Sequence, residues 1–169
     1  MFCGIVEEAA KVVNLKKENE NLHITMECSF VNELKVDQSV SHNGVCLTVV
    51  KITDKTFTVT AIYETLQKSN LGLLKIGSKV NLERSMKLNA MIDGHMVQGH
   101  VDQTAVCKNL TVVNSKDNSF QVAIIPYTYD ITNFHEIKNG TVVNLEFDII
   151  GKYITKIVKQ QLESYFSKK

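Results

Sequence analysis

The sequence predicts an all-β protein made of two copies of one small β unit, followed by an α-helix. Three observations support this: many short strand-like segments between polar turns, an internal repeat at a constant spacing, and a change from strand to helix periodicity near the C-terminus. At 169 residues, the chain has room for one ordinary domain or two small ones. Its hydrophobic content of 44% and charged content of 22% are typical of a globular protein with a core.

The composition excludes several classes of protein. Lys and Arg number 19 against 18 Asp and Glu, so the basic excess of a nucleic-acid-binding protein is missing. No apolar run approaches the roughly 20 residues of a membrane span, and the N-terminus lacks the features of a signal peptide. The four cysteines form no C-x-x-C pair, which argues against a zinc or thioredoxin-type motif. We therefore expect a cytoplasmic protein with reduced thiols.

Strand signals dominate the first half of the chain. Residues Ser39–Lys51 are rich in β-branched side chains and contain the turn signal Asn43-Gly44. Residues Thr56–Ile62 alternate apolar and polar side chains, which is the period of a half-buried strand, and Lys79–Glu83 is a further short strand. Short strands separated by polar turns are typical of a β-sandwich or a small barrel.

An internal repeat gives the architecture. The shift that places Leu47 on Leu110 aligns two tetrapeptides with identical partners: Leu47–Val50 falls on Leu110–Val113, and Val80–Glu83 falls on Val143–Glu146. No gap is needed between positions 47 and 83. Chance similarity between β segments would not keep this register, so the two halves of the chain are predicted to be two copies of one fold.

The start of the repeat matches at a larger spacing. Gly4 and its neighbours resemble Gly99 and its neighbours, so the second copy is shorter than the first by thirty-two positions, about the length of two strands with their turns. The shortening falls between Val106 and Leu110. A closed barrel that lost two strands would expose unpaired edges. Either the second copy is a degenerate barrel, or the chain omits a segment near residues 107–109; we favour the omission.

The C-terminal segment changes to helical periodicity. Apolar residues recur there at spacings of three and four, with charged residues on the other faces, which predicts an amphipathic helix near 151–166. The helix either packs on its own chain or contacts a partner subunit. The apolar positions are Ile149, Ile150, Tyr153, Ile154, Ile157, Val158, Leu162, Tyr165 and Phe166.

The segment Asp93–Asp102 holds the densest set of functional polar groups, including His95 and His100. Two histidines five residues apart do not share a helix face and point to opposite sides of a strand. No third ligand stands at a convincing spacing, so we predict no metal site. Proton transfer or hydrogen bonding to a polar ligand is the favoured role, and a purely structural role stays open for each histidine.

A second cluster surrounds the predicted turn. Ser39, His42, Cys46 and Thr48 bring hydroxyl, imidazole and thiol groups together, and strand alternation puts Cys46 and Thr48 on one face. Cys46 is either a nucleophile or a small core residue. Further along, Glu64-Thr65-Leu66 predicts the entry from a strand into a helix, with Thr65 as the cap.

These motifs, in this order and spacing, resemble riboflavin synthases of the alpha-chain type, which have two lumazine-binding barrels. The resemblance covers nearly the whole chain, and members of the family are longer by about the segment that the second copy lacks. The matching motifs are Met1–Glu7, Ser39–Val49, Glu64–Leu66, Asn70–Gly72, Val80–Arg84 and Gly94–Asp102.

The resemblance implies two tandem six-stranded Greek-key barrels plus a C-terminal α-helix. The N-terminal lumazine-binding barrel would span residues 1–86, the C-terminal lumazine-binding barrel 87–148, and the oligomerisation helix 149–169. It also implies a homotrimer in which the first barrel of one subunit faces the second barrel of its neighbour. Association with lumazine synthase is left open.

The resemblance also implies a reaction. Two molecules of 6,7-dimethyl-8-ribityllumazine exchange a four-carbon unit and yield riboflavin and 5-amino-6-(D-ribitylamino)uracil, with no metal or organic cofactor. A nucleophile would add to C7 of one lumazine while a proton leaves the C7 methyl group of the other. The alternative, from a different functional class, is a non-catalytic lumazine- or flavin-binding protein of the same fold.

Residue by residue, the resemblance implies the following site. Catalysis falls on the polar groups Ser39, His42, Cys46, His95 and His100. Substrate contacts in the first copy fall on Gly4, Ile5, Val6, Cys46, Leu47, Thr48, Thr60, Ala61, Ile62, Tyr63, Glu64 and Thr65. In the second copy they fall on Gly99, His100, Val101, Leu110, Thr111, Ile124, Ile125, Pro126, Tyr127, Thr128 and Asp148.

Overall fold

The computed structural model describes residues 1–87, 94–107 and 120–166. Six antiparallel strands close into a barrel in the order β1-β2-β5-β4-β3-β6. This confirms the all-β fold with a six-stranded barrel. The strands are β1 Glu8–Glu18, β2 Asn21–Glu27, β3 Ser39–His42, β4 Val45–Ile52, β5 Thr56–Ala61 and β6 Lys79–Arg84.

Strand alternation fills the barrel. Along β5, the side chains of Phe57, Val59 and Ala61 are fully buried, whereas the threonines between them are half-exposed on the outside. The same alternation along β4 buries Val49. The register shifts once in β1 and once in β4, and such bulges increase the local twist that a small closed barrel requires.

The predicted turn Asn43-Gly44 joins β3 to β4. His42 pairs with Val45 in register, so the loop has two residues. Both have left-handed backbones, with φ of 48° at Asn43 and 83° at Gly44. A two-residue hairpin loop favours this geometry, which is why Asn-Gly predicts it so well.

The second copy repeats the local structure of the first at the spacing that the tetrapeptides predict. Helix α1 at Tyr63–Lys68 corresponds to α2 at Pro126–Ile131. The 3₁₀ turn Asn70–Leu73 corresponds likewise to Asn133–Glu136. The repeat is therefore present in the backbone as well as in the sequence.

The hydroxyl groups that end these helices also repeat. Ser69 Oγ donates to the carbonyl of Thr65 at 2.6 Å, and Thr132 Oγ1 donates to the carbonyl of Thr128 at the same distance. Each hydroxyl then accepts from the amide two residues later. The prediction of a helix entry here is confirmed, but Thr65 as its cap is wrong, because the N-cap residue is Ile62.

At the start of each copy, equivalent residues are separated by the same larger spacing that separates Gly4 from Gly99. Strand β7, Gln103–Val106, pairs with β8, Val142–Leu145, as β1 pairs with β6. Gly4 and Gly99 share left-handed backbones, with φ of 79° and 80°. At the end of this match, the amides of Val12 and Cys107 donate to equivalent carbonyls at 2.9 and 2.8 Å.

The two copies differ in extent. Residues 13–56, which carry β2, β3 and β4, correspond to residues 108–119 alone. The described part of the second copy accordingly forms the two-stranded sheet β7–β8 instead of a closed barrel. The omitted segment and the domain limits at 86 and 148 stay predictions.

Asparagines join the two copies in a reciprocal arrangement. The Asn70 amide donates to Asn144 Oδ1 at 2.7 Å, and the Asn133 amide donates to Asn81 Oδ1 at 2.8 Å. Because Asn133 and Asn144 are the repeat partners of Asn70 and Asn81, the copies face each other about a local pseudo-two-fold axis. Asn43 lies between them, and its carbonyl accepts from Asn144 Nδ2 at 2.8 Å.

The C-terminal helix is confirmed as α3, Ile149–Phe166. The carboxylate of Asp148 accepts from the amides of Ile150 and Gly151 at 2.9 and 3.1 Å and caps the first turn. The helix therefore begins at Ile149, two residues before the start that the periodicity predicts and at the start that the resemblance implies. No residue of α3 is buried. Its apolar face is open to solvent in the single chain.

We expect Asn144→Ala to lower the free energy of unfolding by about 2 kcal/mol, because it removes the acceptor for Asn70 and a donor to Asn43 between the copies. The control is Asn139→Ala in an exposed turn, which should stay within about 0.5 kcal/mol of wild type. Urea unfolding measures both. Equal effects of the two variants would show that the asparagine contacts do not join the copies energetically.

Candidate functional site

The outer face of β3 and β4 brings the predicted hydroxyl and thiol groups together. Ser39 pairs with Thr48, and Ser41 pairs with Cys46, in an unbroken antiparallel register. Cys46 is half-buried and Thr48 is exposed, whereas Leu47 between them is buried in the barrel. The prediction that Cys46 and Thr48 share a strand face is confirmed.

A segment of the second copy crosses this face. The Cys46 amide donates to the carbonyl of Gly99 at 2.8 Å, and Val101 packs against the core of the first barrel. Phe2 and Val97, which are repeat partners, exchange two backbone hydrogen bonds at 2.8 and 2.9 Å. The sequence grouped the candidate site residues by copy, but the structure joins Gly99 of the second copy to Cys46 of the first.

The contact between Gly99 and Cys46 leaves no room for a side chain. A Cβ atom on Gly99 would lie 2.6 Å from Cys46 Cβ and 2.9 Å from Cys46 N. At the repeat partner Gly4, with a matching positive φ, a Cβ atom would meet only Val97 Cγ2 among the described residues, at 3.6 Å. Glycine is therefore required at 99 by space as well as by backbone conformation.

Two carboxylates hold the segments that cross. Glu83, at the end of β6, accepts from the amides of Cys3 at 2.6 Å and of Gly4 at 3.1 Å. Its repeat partner Glu146 accepts from three successive amides, those of residues 98, 99 and 100. Sequence reasoning missed both residues, although the signal was visible: each ends one copy of the repeated Val-Asn-Leu-Glu.

The histidines of segment 94–101 are exposed. His95 donates its amide to the carbonyl of Cys3 at 3.1 Å, and His100 donates its amide to Glu146 at 3.1 Å, so these contacts use the backbone and leave the imidazoles accessible. His100 also lies near Asp102. Burial raises the pKa of Asp102, but a hydrogen bond from Lys152 and further favourable contacts outweigh it, and the pKa is lowered.

His42 lies inside the first barrel. Its Nδ1 is 2.9 Å from the carbonyl of Val40, to which it donates, and its ring contacts Phe57. The side chain is fully buried, and its Nε2 has no hydrogen-bond partner in the part of the chain that the structure describes. Burial lowers the pKa of His42 to about 4. The structure therefore does not bring His42 to the outer face that carries Cys46.

Thr60 lies outside the barrel in a chain of polar contacts that the sequence did not reveal. Its hydroxyl is 2.9 Å from His23 Nδ1, and His23 Nε2 is 2.9 Å from Glu18 Oε2. Glu18 and His23 stand on β1 and β2, so only the strand register could place them beside Thr60.

The other candidate substrate contacts occupy the ends of strands and helices. Ala61 is buried, whereas Ile62, Tyr63 and Glu64 are exposed at the start of α1, and Glu64 pairs with Lys68 at 2.6 Å. Gly4 and Ile5 are exposed and Val6 is half-buried. In the second copy, Ile125, Pro126 and Tyr127 are exposed at the start of α2, Ile124 and Thr128 are half-buried, and Asp148 caps α3. Leu110 and Thr111 lie outside the described residues.

Comparison with known proteins identifies the family. A model of the lumazine binding domain matches residues 3–85 and 106–148. Riboflavin synthase from Actinobacillus pleuropneumoniae is 35% identical over 94% of this chain and 90% of its own. Riboflavin synthase from Bacillus subtilis is 33% identical over 97% of this chain and 93% of its own. The chain belongs to the riboflavin synthase family. The family and the enzyme class that the motifs predicted are thereby confirmed.

The shorter second copy is also visible in these comparisons. The family model covers residues 3–85 of the first copy but only 106–148 of the second. The match to the A. pleuropneumoniae riboflavin synthase runs over 193 residues, which is more than the 169 residues of this chain. Part of that relative therefore faces no residue of this chain, as the shortening of the second copy predicts.

Solved structures agree on the fold. LumP complexed with 6,7-dimethyl-8-(1'-D-ribityl) lumazine superposes with a TM-score of 0.73 at 18% identity, over 87% of this chain and 99% of LumP. LumP complexed with flavin mononucleotide superposes with a TM-score of 0.76 at 20% identity and the same coverage. Among the described residues, no helix is long and apolar enough to cross a membrane.

The buried His42 predicts a loss of stability in acid. Its folded-state pKa of about 4 lies below the value near 6.5 of an unfolded histidine, so the unfolded chain binds a proton that the folded chain excludes. This contribution is complete above pH 6.5 and is lost as the pH falls towards 4. Between pH 7 and pH 5 it should remove about 2 kcal/mol from the free energy of unfolding.

Urea unfolding at several pH values measures this loss. His42→Gln, which keeps an N–H donor but does not titrate, should show a shallower decrease in stability than wild type over this range. His135→Gln, at a histidine outside the barrel core, is the matched control and should keep the wild-type slope. Identical slopes for wild type and His42→Gln would contradict the prediction.

Proposed function

We propose that this protein is a riboflavin synthase that converts two molecules of 6,7-dimethyl-8-ribityllumazine into riboflavin and 5-amino-6-(D-ribitylamino)uracil by transfer of a four-carbon unit. The observation that carries the proposal is the match to riboflavin synthases at 33–35% identity along nearly the whole chain. The contact between Cys46 and Gly99 supports it, because it gathers candidate groups of both copies at one surface.

Most of the rate acceleration in this proposal comes from holding two flat rings face to face. Bringing two reactants into one geometry can supply about 7–11 kcal/mol of the activation barrier. The protein then needs groups that accept and return protons and a nucleophile for C7 of one lumazine. Such proton transfer adds further acceleration when the group lies within hydrogen-bonding distance of the reacting atom.

The exposed or half-buried polar groups take these roles. In the proposal, the Cys46 thiol on β4 is the nucleophile or proton carrier, and the imidazoles of His95 and His100 exchange protons. Ser39 lies beside them on β3, where it pairs with Thr48, the next residue after Cys46 on the same face of β4. His42 is left out, because it is enclosed by the barrel core and its ring packs on Phe57.

A second candidate function is binding of a lumazine or flavin without catalysis. It is favoured by the shorter second copy and by the fold shared with LumP, whose structures contain a lumazine, riboflavin or flavin mononucleotide. A chain with one complete barrel can bind one ligand without bringing a second to it. Turnover separates the two functions, because a binding protein leaves the lumazine unchanged.

The decisive experiment is incubation of the full chain with 6,7-dimethyl-8-ribityllumazine alone. Riboflavin fluorescence that grows with time, together with one pyrimidinedione per riboflavin, supports the synthase. Tight binding with unchanged lumazine would support the binding protein instead.

Cys46→Ala tests the thiol. We expect kcat to fall by about a hundredfold, the order that a lost acid–base group costs, while the Kd for lumazine changes little. Cys28→Ala is the matched control: this thiol packs against the barrel core, and burial raises its pKa to about 12, so it stays protonated. Steady-state kinetics and fluorescence titration measure both. Parallel losses of kcat and affinity in Cys46→Ala would mean that Cys46 only packs.

We also propose that the chain forms a homotrimer through α3. Support comes from the exposed apolar face of the helix, since patches of this kind usually mark an interface. In the trimer, the Cys46–Gly99 surface of one subunit would face the second copy of its neighbour, so that the ligand site would lie between the first barrel of one subunit and the second copy of the other. A cytoplasmic location and association with lumazine synthase stay predictions. The apolar face comprises Ile150, Tyr153, Ile154, Ile157, Val158 and Leu162.

Removal of residues 152–169 should give a monomer in sedimentation that retains lumazine binding in the first barrel but loses most of its turnover. Ile154→Glu, on the apolar face, should act in the same direction as the truncation. Lys156→Glu, on the charged face, is the control and should leave the assembly intact. A monomeric truncated chain with full activity would refute a site between subunits.

A further inference from the structure

The carboxylate of Glu146 makes an unusual set of contacts directly after β8. It accepts from the amides of Gln98 and Gly99, each at 2.9 Å, and from the amide of His100 at 3.1 Å. Hydrogen bonds to an ionised acceptor are roughly twice as strong as neutral ones. One side chain therefore fixes three successive residues of an otherwise irregular segment.

This segment is the one that lies across the candidate site. The carbonyl of Gly99 accepts from the Cys46 amide at 2.8 Å, and the space at Gly99 has no room for a Cβ atom. Val101 continues the contact by packing against the core of the first barrel. Glu146 thus links β8 of the second copy to the strand that carries Cys46.

The repeat partner of Glu146 does a different task. Glu83 accepts from the amides of Cys3 and Gly4 and holds the start of the chain at the opposite crossing. Among the described residues, Glu83 binds none of the amides of 98–100; the segment that it holds meets residues 95–97 instead. The two glutamates occupy equivalent positions in the repeat and both bind backbone amides. Only Glu146 binds the segment 98–100, which lies over Cys46 on β4. Glu83 is therefore a matched control for Glu146.

We propose that Glu146 is a positioning residue for the reaction: by binding the amides of residues 98–100, it holds this segment on β4 beside Cys46. The proposal rests on the proposed function, since it concerns the same site. Glu146 is not assigned a catalytic role, because its oxygens are occupied by backbone amides.

The chemistry of the contact makes a sharp variant available. Glu146→Gln keeps the size of the side chain but replaces one acceptor oxygen with the NH2 group of an amide. This NH2 group, a donor, would then face backbone N–H groups, which are also donors. At least one of the three amides then loses its partner, and an unsatisfied polar group is costly. The segment 98–100 should open more often and uncover Cys46.

Alkylation of the cysteines, read peptide by peptide with mass spectrometry, measures this opening without any assay of activity. All four cysteines are half-buried thiols, and Cys28 and Cys107 serve as internal references. We expect Glu146→Gln to raise the alkylation rate of Cys46 about tenfold, the factor that corresponds to one lost charged hydrogen bond. Glu83→Gln should leave the Cys46 rate within about twofold of wild type and accelerate Cys3 instead.

Kinetics supply the second measurement. In a Glu146→Gln protein with the wild-type circular dichroism spectrum, kcat/KM for riboflavin formation should fall by about tenfold, together with the rise in Cys46 alkylation. If Glu146→Gln does not fold, Glu146→Asp decides by the same two measurements, because its shorter side chain keeps the charge but cannot reach all three amides, and Glu83→Asp is its control.

The outcomes separate the two proposals. An unchanged Cys46 alkylation rate in folded Glu146→Gln, or in Glu146→Asp when the former does not fold, overturns the role of Glu146. Equal acceleration of Cys46 by Glu83→Gln also overturns it, because the effect would then be general loosening. A wild-type chain that forms no riboflavin overturns the proposed function, whereas the alkylation result still decides whether Glu146 holds the segment.

Discussion

The crossing of two backbone segments, each tied to a carboxylate, is the contact on which the arrangement of this molecule depends. Glu83 holds the segment that begins the chain, and Glu146 holds residues 98–100. Between them, Phe2 and Val97 form an isolated antiparallel β-bridge on the local pseudo-two-fold axis. Without this crossing, the contact between the copies would rest mainly on their asparagines. Cys46 would then lose its hydrogen bond to Gly99 of the second copy.

Sequence periodicity predicted those features of the fold that depend on residues close together in the chain. The Asn43-Gly44 turn, the alternation along β5 and the matching positions of α1 and α2 all follow from residue patterns within each copy. Contacts between distant residues were beyond such reasoning. The Cys46–Gly99 bond joins one copy to the other, and His42 is enclosed because strand closure turns its face of β3 inward. Alternation gave the face of Cys46, but only tertiary packing could show what covers it.

The shortened second copy leaves apolar side chains exposed to solvent. Phe57 and Val59 are fully buried in the first barrel, whereas their repeat partners Phe120 and Val122 are 56% and 61% exposed. The sequence kept apolar side chains at positions where the described part of the second copy provides no enclosing barrel. Apolar surface of this kind is normally covered by another element or another chain. Together with α3, it makes the second half of this chain the part that gains most from association.

This asymmetry bears on how a reaction of two identical substrates would proceed here. A dismutation needs two lumazines in opposite roles, one losing and one gaining carbon, so two unequal binding environments suit it better than two equal ones. The first barrel is complete and contributes Cys46, whereas the second copy contributes Gly99 and His100 through a segment fixed by Glu146. The unequal copies thus supply different groups to one surface. Under the proposed function, the two lumazines would therefore meet unlike surroundings, because one copy is a closed barrel and the described part of the other is a two-stranded sheet.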